Sequence, residues 1–156
     1  MARGIQREIK QTKPFTGLED ELFSALLRTA DHLEAQVAAF LKPYDLSPTQ
    51  YNALRILRGA GPAGLACKEI GARMLTHDPD ITRLVGRLEK RGLAERQRGL
   101  KDRRVITTRV TAAGLELLKR LDGPVAEYQR KLLGNLGDNR IHSFLRVLET
   151  VRKRSA

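Results

Sequence analysis

Residues 78–109, DPDITRLVGRLEKRGLAERQRGLKDRRVITTR, decide the fold of this chain. Asp78 is placed to cap a helix, with Pro79 at the first helical position, where a missing N–H costs nothing. Ile81, Leu84, Val85 and Leu88 then recur at i, i+3, i+4 and i+7, one apolar stripe of an amphipathic helix. Asp80, Thr82, Arg83 and Arg87 fall on other faces, the two arginines one turn apart. Gly92 follows Arg91 as a helix stop. Residues 93–98 and 105–110 read as short, strand-like runs, the second rich in Val, Ile and Thr. Between them Gly99-Leu100-Lys101-Asp102-Arg103-Arg104 predicts a basic-tipped hairpin. A helix with an arginine face followed at once by such a hairpin suits double-stranded DNA. The helix would enter the major groove and the hairpin would meet the neighbouring minor groove or backbone.

The charge distribution points the same way. The chain of 156 residues carries a formal net charge of +11. Residues 68–109 hold twelve Lys and Arg against six Asp and Glu, whereas residues 18–67 hold four against six. The positive field is therefore densest on the helix and hairpin, the footprint of a polyanion binder. The competing reading is a solvated basic surface. The length suits one domain. No apolar run approaches the roughly 20 residues that span a bilayer. Arg3, Arg7, Lys10 and Lys13 precede no apolar segment, so no secretory signal is expected. A single cysteine, Cys67, excludes an intrachain disulfide and fits a cytoplasmic protein.

Outside this unit the chain reads as helices. Residues 1–17 are expected to form a basic, mobile arm without periodicity. Thr16 and Glu19 match a capping box at the start of a long helix over about 18–42, striped by Leu18, Leu22, Leu26, Ala30, Leu33, Val37 and Phe40. Pro43 ends it. Ser47-Pro48-Thr49-Gln50 is a second capping box, with Leu46 and Tyr51 placed as a hydrophobic staple. Its helix continues through Leu54 and Leu57 to the break at Gly59-Ala60-Gly61-Pro62. A short helix from Ala66 to Leu75 carries Ile70 and Met74 inward, and Thr76-His77 connects it to the arginine-faced helix. The two make a helix-turn-helix over about 66–91, with a wing over about 93–110. Thr111 caps a further helix in which Gly123-Pro124 predicts a bend. After Gly134-Asn135-Leu136-Gly137, Asp138 caps a last helix striped by Ile141, Phe144, Leu145, Leu148 and Val151. The fold class is mainly α with a small β-hairpin wing, a winged helix-turn-helix core between N- and C-terminal dimerisation helices. Leucine-rich helices at both ends, about 18–42 and 111–153, favour a dimer over a purely intrachain core.

Asp102-Arg103-Arg104, five residues, then Val110-Thr111-Ala112-Ala113-Gly114 resemble the wing signature of the MarR-type winged-helix regulators, with Val110 where Leu is usual. Leu46-Ser47-Pro48-Thr49-Gln50-Tyr51 is similar to that family's opening of the second helix. Residues 81–93 are similar to its recognition helix and exit. The resemblance covers about residues 18–153. It implies a homodimer whose terminal helices form the interface, one winged helix per subunit, and a pseudo-palindromic operator. It also implies repression relieved when a small phenolic or anionic effector binds between the dimerisation and DNA-binding regions.

Arg83 and Arg87 are the candidate base-edge readers, because a guanidinium bonds bidentately to guanine O6 and N7. Phosphate contact is the alternative for both. Thr82 suits a phosphate or a thymine methyl. Asp80 suits either a cytosine amino group or simple stabilisation of a helix N-terminus. Lys101, Arg103 and Arg104 are placed to meet backbone or a narrow minor groove. The negative Asp102 is expected to orient a neighbouring arginine or tie the wing base. His32, Phe40, Tyr44, Tyr51 and Arg55 are candidate effector-site residues, with core packing the commoner role for the aromatics. Cys67 reads as a packing residue or a redox sensor. His77-Asp78-Pro79-Asp80 cannot converge on one ion, so no metal site and no cofactor are expected. No nucleophile triad or phosphate loop appears, so an enzyme is not expected. Two rivals to ligand-controlled repression are a winged-helix architectural DNA binder without an effector and a basic helical adaptor for an acidic protein or membrane surface.

Overall fold

The structure, a computed structural model, describes residues 4–99 and 102–154. Its elements run α1 (Gly4–Glu8), α2 (Leu18–Leu41), α3 (Pro48–Ala60), α4 (Cys67–Arg73), α5 (Ile81–Lys90), β1 (Ala94–Arg98), β2 (Ile106–Val110), α6 (Ala112–Leu133) and α7 (Asp138–Arg154). Short 3₁₀ turns follow α2, α3 and α6. The fold is a winged helix-turn-helix with long helices before and after it.

The core sits in the winged-helix part. Leu41, Leu54, Leu57, Ile70, Val85, Leu88, Leu118 and Leu121 are fully buried, drawn from the end of α2, from α3, α4 and α5, and from the first half of α6. Truncating one of these leucines to alanine costs about 2–5 kcal/mol through forfeited transfer energy and a cavity. The capping box at Ser47 forms as expected. The Gln50 amide donates to Ser47 Oγ at 3.1 Å, and the Ser47 amide donates to Gln50 Oε1 at 2.9 Å. Leu46 and Tyr51 are both buried, as the staple requires. The bidentate contact of Arg58 Nη1 with the Asp122 carboxylate, 3.0 and 2.9 Å, ties α3 to α6.

β1 and β2 pair antiparallel from Ala94↔Val110 to Arg98↔Ile106. A third backbone segment holds this hairpin to the helices. Leu65 donates to the Thr108 carbonyl at 2.9 Å and accepts from the Thr108 amide at 2.8 Å. Gly64, at φ 63°, makes that approach possible, since a Cβ there would lie 2.4 Å from the Thr108 oxygen. The wing's exit is just as tight. Thr111 caps α6 by accepting from the Gly114 amide at 3.1 Å, and its own hydroxyl donates to the Gly92 carbonyl at 2.6 Å. A Cβ on Gly114 would lie 2.3 Å from the Leu93 carbonyl oxygen. The Thr-x-x-Gly spacing is thus a steric requirement at the point where α6 crosses the end of α5.

Several local expectations are corrected. The capping box at Thr16 does not form. Gly17 is the N-cap of α2 without a side-chain bond, and the Thr16 amide and hydroxyl both donate to Asp20 Oδ2, at 3.0 and 3.1 Å. Asp138 is the first helical residue of α7 rather than its cap, so it acts on the helix N-terminus through charge. The connection between α4 and α5 is longer than Thr76-His77, spanning residues 74–80. The helix in which a bend is expected at Gly123-Pro124 is a single element, α6, with Pro124 inside it, and its continuity does not contradict that bend. Within residues 1–17, Gly4–Glu8 forms a short helix, and Glu8 pairs with Arg28 of α2 at 3.0 Å.

The terminal helices differ from the core. Leu18, 73% exposed, stands with Leu22, Phe23 and Leu27 on the open part of α2. Phe144, Leu145, Val147 and Val151 are exposed on α7, and none of residues 138–153 is buried. Among the described residues no helix is long and apolar enough to cross a membrane.

Candidate nucleic-acid interface

The helix at the centre of the interface starts later than its sequence suggests. Asp80, not Asp78, is the N-cap of α5. Asp80 Oδ1 accepts from the Arg83 amide at 2.9 Å, whereas Asp78 Oδ1 accepts from the Asp80 amide at 2.9 Å in the turn before. Pro79 therefore precedes the helix. A cap needs a non-helical backbone and a side-chain acceptor three residues before a free N–H, and Asp80 meets both conditions. Its capping bond engages one carboxylate oxygen, which supports the helix-terminus role over base reading. At the other end Arg91 is the C-cap and Gly92 turns at φ 68°, donating to the Glu89 carbonyl at 2.8 Å.

This register buries Leu84, Val85 and Leu88 and turns Thr82, Arg83 and Arg87 outward. The stripe anchors the inner face on α3 and α4, so the outer face is held rigidly. Acidic residues then sort the basic ones into two sets. Arg91 donates to the Asp45 and Tyr44 carbonyls and pairs with Asp45 Oδ2 at 3.6 Å, locking the end of α5 to the turn after α2. Arg109 pairs across the hairpin with Glu95 at 2.7 Å. Arg96 pairs with Glu89 at 3.4 Å, and its Nη2 donates to the Thr82 carbonyl at 3.4 Å, bracing β1 against α5. By contrast, no ion pair or hydrogen bond within the described residues engages the guanidinium groups of Arg83, Arg87, Arg98, Arg103 or Arg104. Those five are left available to a polyanion.

Asp102 holds the wing tip together. Its Oδ1 accepts from the Arg104 amide at 2.9 Å, and its carbonyl accepts from Val105 at 3.1 Å. Gly99 closes the turn by donating to the Val105 carbonyl at 2.7 Å, and any Cβ there would meet the Asp102 oxygen at 2.6 Å. A carboxylate at a basic tip is thereby explained, because it shapes the turn that displays Arg103 and Arg104. Lys101 lies outside the described residues. Arg96, Gln97, Arg98, Arg103, Arg104 and Ile106 line a cleft of about 360 Å³ along one side of the wing. Ile106 is 62% exposed there, opposite Arg98 in the hairpin register. Arg98 was not singled out from sequence. The available signal was its two-residue spacing from Arg96, which puts both on one face of the strand.

The structure separates the candidate effector residues. Phe40 stacks on Tyr128 with ring centroids 4.5 Å apart and meets Tyr44 at 6.3 Å. Tyr128, on α6, also donates to Gln36 Oε1 at 3.3 Å. Tyr51 is buried beneath Arg55, whose guanidinium lies 5.8 Å from the ring centroid. Burial raises the Tyr51 pKa above its ordinary value, and Arg55 partly offsets the rise. His32 is remote from these groups, two turns back along α2 in a recess shared with Ile5, Glu8 and Arg28. Cys67, half-buried at the start of α4, packs against the core. Among the described residues no group of three His, Cys, Asp or Glu side chains is arranged to hold a metal ion.

A family model described as MarR family matches residues 44–105, which span α3 through the wing. A solved MarR transcription factor from Planctomyces limnophilus is 39% identical, covering 88% of this chain and 99% of that one, with a TM-score of 0.65. The transcriptional repressor IacR of Pseudomonas putida is 26% identical over 133 residues, 85% of this chain and 78% of its own length. A mutant MarR from E. coli complexed with operator DNA is 21% identical, covers 87% of this chain and 99% of its own, and superposes with a TM-score of 0.74. This chain belongs to the MarR family of transcription regulators.

Proposed function

We propose that the protein is a cytoplasmic, homodimeric repressor that binds a pseudo-palindromic operator and leaves it when a small effector binds. The observation that carries the DNA reading is the set of guanidinium groups that have no partner among the described residues. Arg83 and Arg87 project from a helix anchored on its other face, while Arg98, Arg103 and Arg104 surround the wing cleft. Arg83 and Arg87 read base edges, each bidentate pair worth about 1–3 kcal/mol of discrimination. Thr82 meets phosphate or a thymine methyl, and Lys101, Arg103 and Arg104 meet the backbone or minor groove. Asp102 positions the wing, and Asp80 positions the helix. The exposed apolar residues of α2 and α7 support dimerisation through the terminal helices, with residues 1–17 as an accessory arm. IacR's description as a repressor supports that sign of control.

For the effector, the cluster of Phe40, Tyr44 and Tyr128 offers aromatic walls to a phenolic molecule, and the separate pair of Tyr51 and Arg55 offers a ring and a cation to an anionic one. His32 stands too far along α2 to join it without help from a second subunit. The test is selection of bound duplexes from a random pool, followed by titration of the enriched sequence. An enriched sequence with two inverted half-sites supports the reading, and a pool that stays random removes sequence-specific regulation. Arg104→Ala is expected to lower the salt slope by about one ion for each phosphate that the variant leaves unneutralised.

A further inference from the structure

The hairpin register shows which way Arg98 faces. Residues two apart on a strand share a face, and directly opposed residues share it too. Arg96, Arg98 and Ile106 therefore lie on one face of the hairpin, with Glu95 and Arg109 on the other. Arg96 identifies the first face as the one turned toward α5. Its guanidinium reaches the Glu89 carboxylate at 3.4 Å and the Thr82 carbonyl at 3.4 Å, and its amide donates to Glu89 Oε1 at 3.1 Å. Beyond Arg96 the same face leaves the core. Thr108, opposite Arg96, is 1% exposed, whereas Ile106, opposite Arg98, is 62% exposed. Arg98 and Ile106 thus form the wing-side wall of the open space between wing and helix. The Arg98 guanidinium has no ion pair or hydrogen bond among the described residues, and no acidic side chain lines the cleft it shares with Arg103 and Arg104.

With α5 in the major groove and the wing at the neighbouring minor groove, the sugar–phosphate strand that divides the two grooves has to pass between them. Such a strand alternates an anion with the apolar edge of a deoxyribose. The wall offers the complement of both, a guanidinium without a partner beside an exposed isoleucine. We propose that Arg98 clamps a phosphate of this dividing strand and that Ile106 packs on the adjoining deoxyribose. The contact carries affinity without reading bases, because neither group reaches a base edge from there. Labour is then divided among the arginines. Arg83 and Arg87 set which sequence is preferred, and Arg98 sets how firmly any sequence is held. This inference rests on the DNA reading above.

Fluorescence anisotropy over a salt series tests it, using the selected duplex and a scrambled one. R98A is expected to weaken both duplexes by the same factor, about tenfold, and to lower the salt slope by about 0.9 for each phosphate left unneutralised. R98K is expected to restore the slope, since a point charge also displaces a counterion. I106T keeps a β-branched residue in the strand. It is expected to weaken both duplexes about threefold with the slope unchanged, because apolar packing releases no counterion. R109Q removes one positive charge from the opposite face and is expected to keep the wild-type slope. A methylphosphonate placed at one phosphate at a time then locates the contact. At one position, between the base pairs met by α5 and those met by the wing, it is expected to weaken the wild type and not R98A. Three results overturn the clamp: an R98A loss confined to the selected duplex, an equal slope change in R109Q, or the same methylphosphonate profile in R98A as in the wild type. I106T binding like the wild type overturns the part given to Ile106. If selection enriches no sequence, sequence-specific regulation falls and the clamp is still read on random duplex. A wild-type chain that binds no duplex removes the DNA reading itself.

Discussion

Gly114→Ala tests the close approach on which the wing's exit depends. The added Cβ would lie 2.3 Å from the Leu93 carbonyl oxygen and 2.7 Å from Val110 Cγ2. Ordinary van der Waals separation needs at least 3.4 Å, so α6 or the Leu93 peptide must move by about 1 Å. Overpacking of this kind costs about 1–3 kcal/mol. The movement also strains the bonds from Thr111 to the Gly92 and Leu93 carbonyls, each worth about 0.5–1.5 kcal/mol. Together these put the expected destabilisation at about 2–4 kcal/mol in urea unfolding monitored by circular dichroism. Gly86→Ala supplies the contrast, because that position lies inside α5 with nothing within 4 Å of a Cβ. It is expected to gain about 0.5–1 kcal/mol through helix propensity. If Gly114→Ala is as stable as wild type, the steric explanation of the Thr-x-x-Gly spacing is wrong.

Three further perturbations follow from single side chains. Asp80→Ala is expected to lose about 1 kcal/mol of stability, whereas Asp80→Asn retains the cap and keeps operator affinity; a large affinity loss in the asparagine variant would restore a base-reading role. Thr107 Oγ1 is buried without a hydrogen-bond partner among the described residues, so Thr107→Val is expected to leave Tm unchanged or raise it, and a marked fall would reveal a partner. Because burial raises the Tyr51 pKa, its contribution is complete below the ordinary tyrosine value near 10 and is lost as pH rises through the folded-state value. Tyr51→Phe is expected to flatten that alkaline loss in pH-dependent unfolding, and an unaltered profile would assign the loss to another group.

Much of this was legible in the chain because local chemistry and tertiary packing agree there. The stripe of Ile81, Leu84, Val85 and Leu88 is helical by spacing and buried by packing. The Ser47 box had a hydroxyl, a proline and a glutamine in an order that closes both bonds. Where two residues offered the same chemistry, spacing did not choose between them. Asp78 and Asp80 are both competent caps, and the backbone at Asp80 decides. Thr16 offered a hydroxyl, but Asp20 took it. Leu65 pairs with Thr108 as an isolated bridge, which has no periodicity to detect. The division of the arginines was hidden for a related reason. Arg91, Arg96 and Arg109 look identical in sequence to Arg83 and Arg87 until Asp45, Glu89 and Glu95 are brought beside them.

The most direct test of sequence-specific binding is fluorescence anisotropy with DNA from upstream of the chain's own gene, against a scrambled duplex, at two salt concentrations. Wild type and Arg83→Ala/Arg87→Ala are titrated in parallel. The wild type is expected to prefer the upstream duplex by about a thousandfold or more near physiological salt. The double variant is expected to lose most of that preference while keeping salt-dependent binding through the wing. Equal, steeply salt-dependent binding of the wild type to both duplexes, or a preference untouched by removing both arginines, would contradict the reading of α5 as the element that recognises sequence.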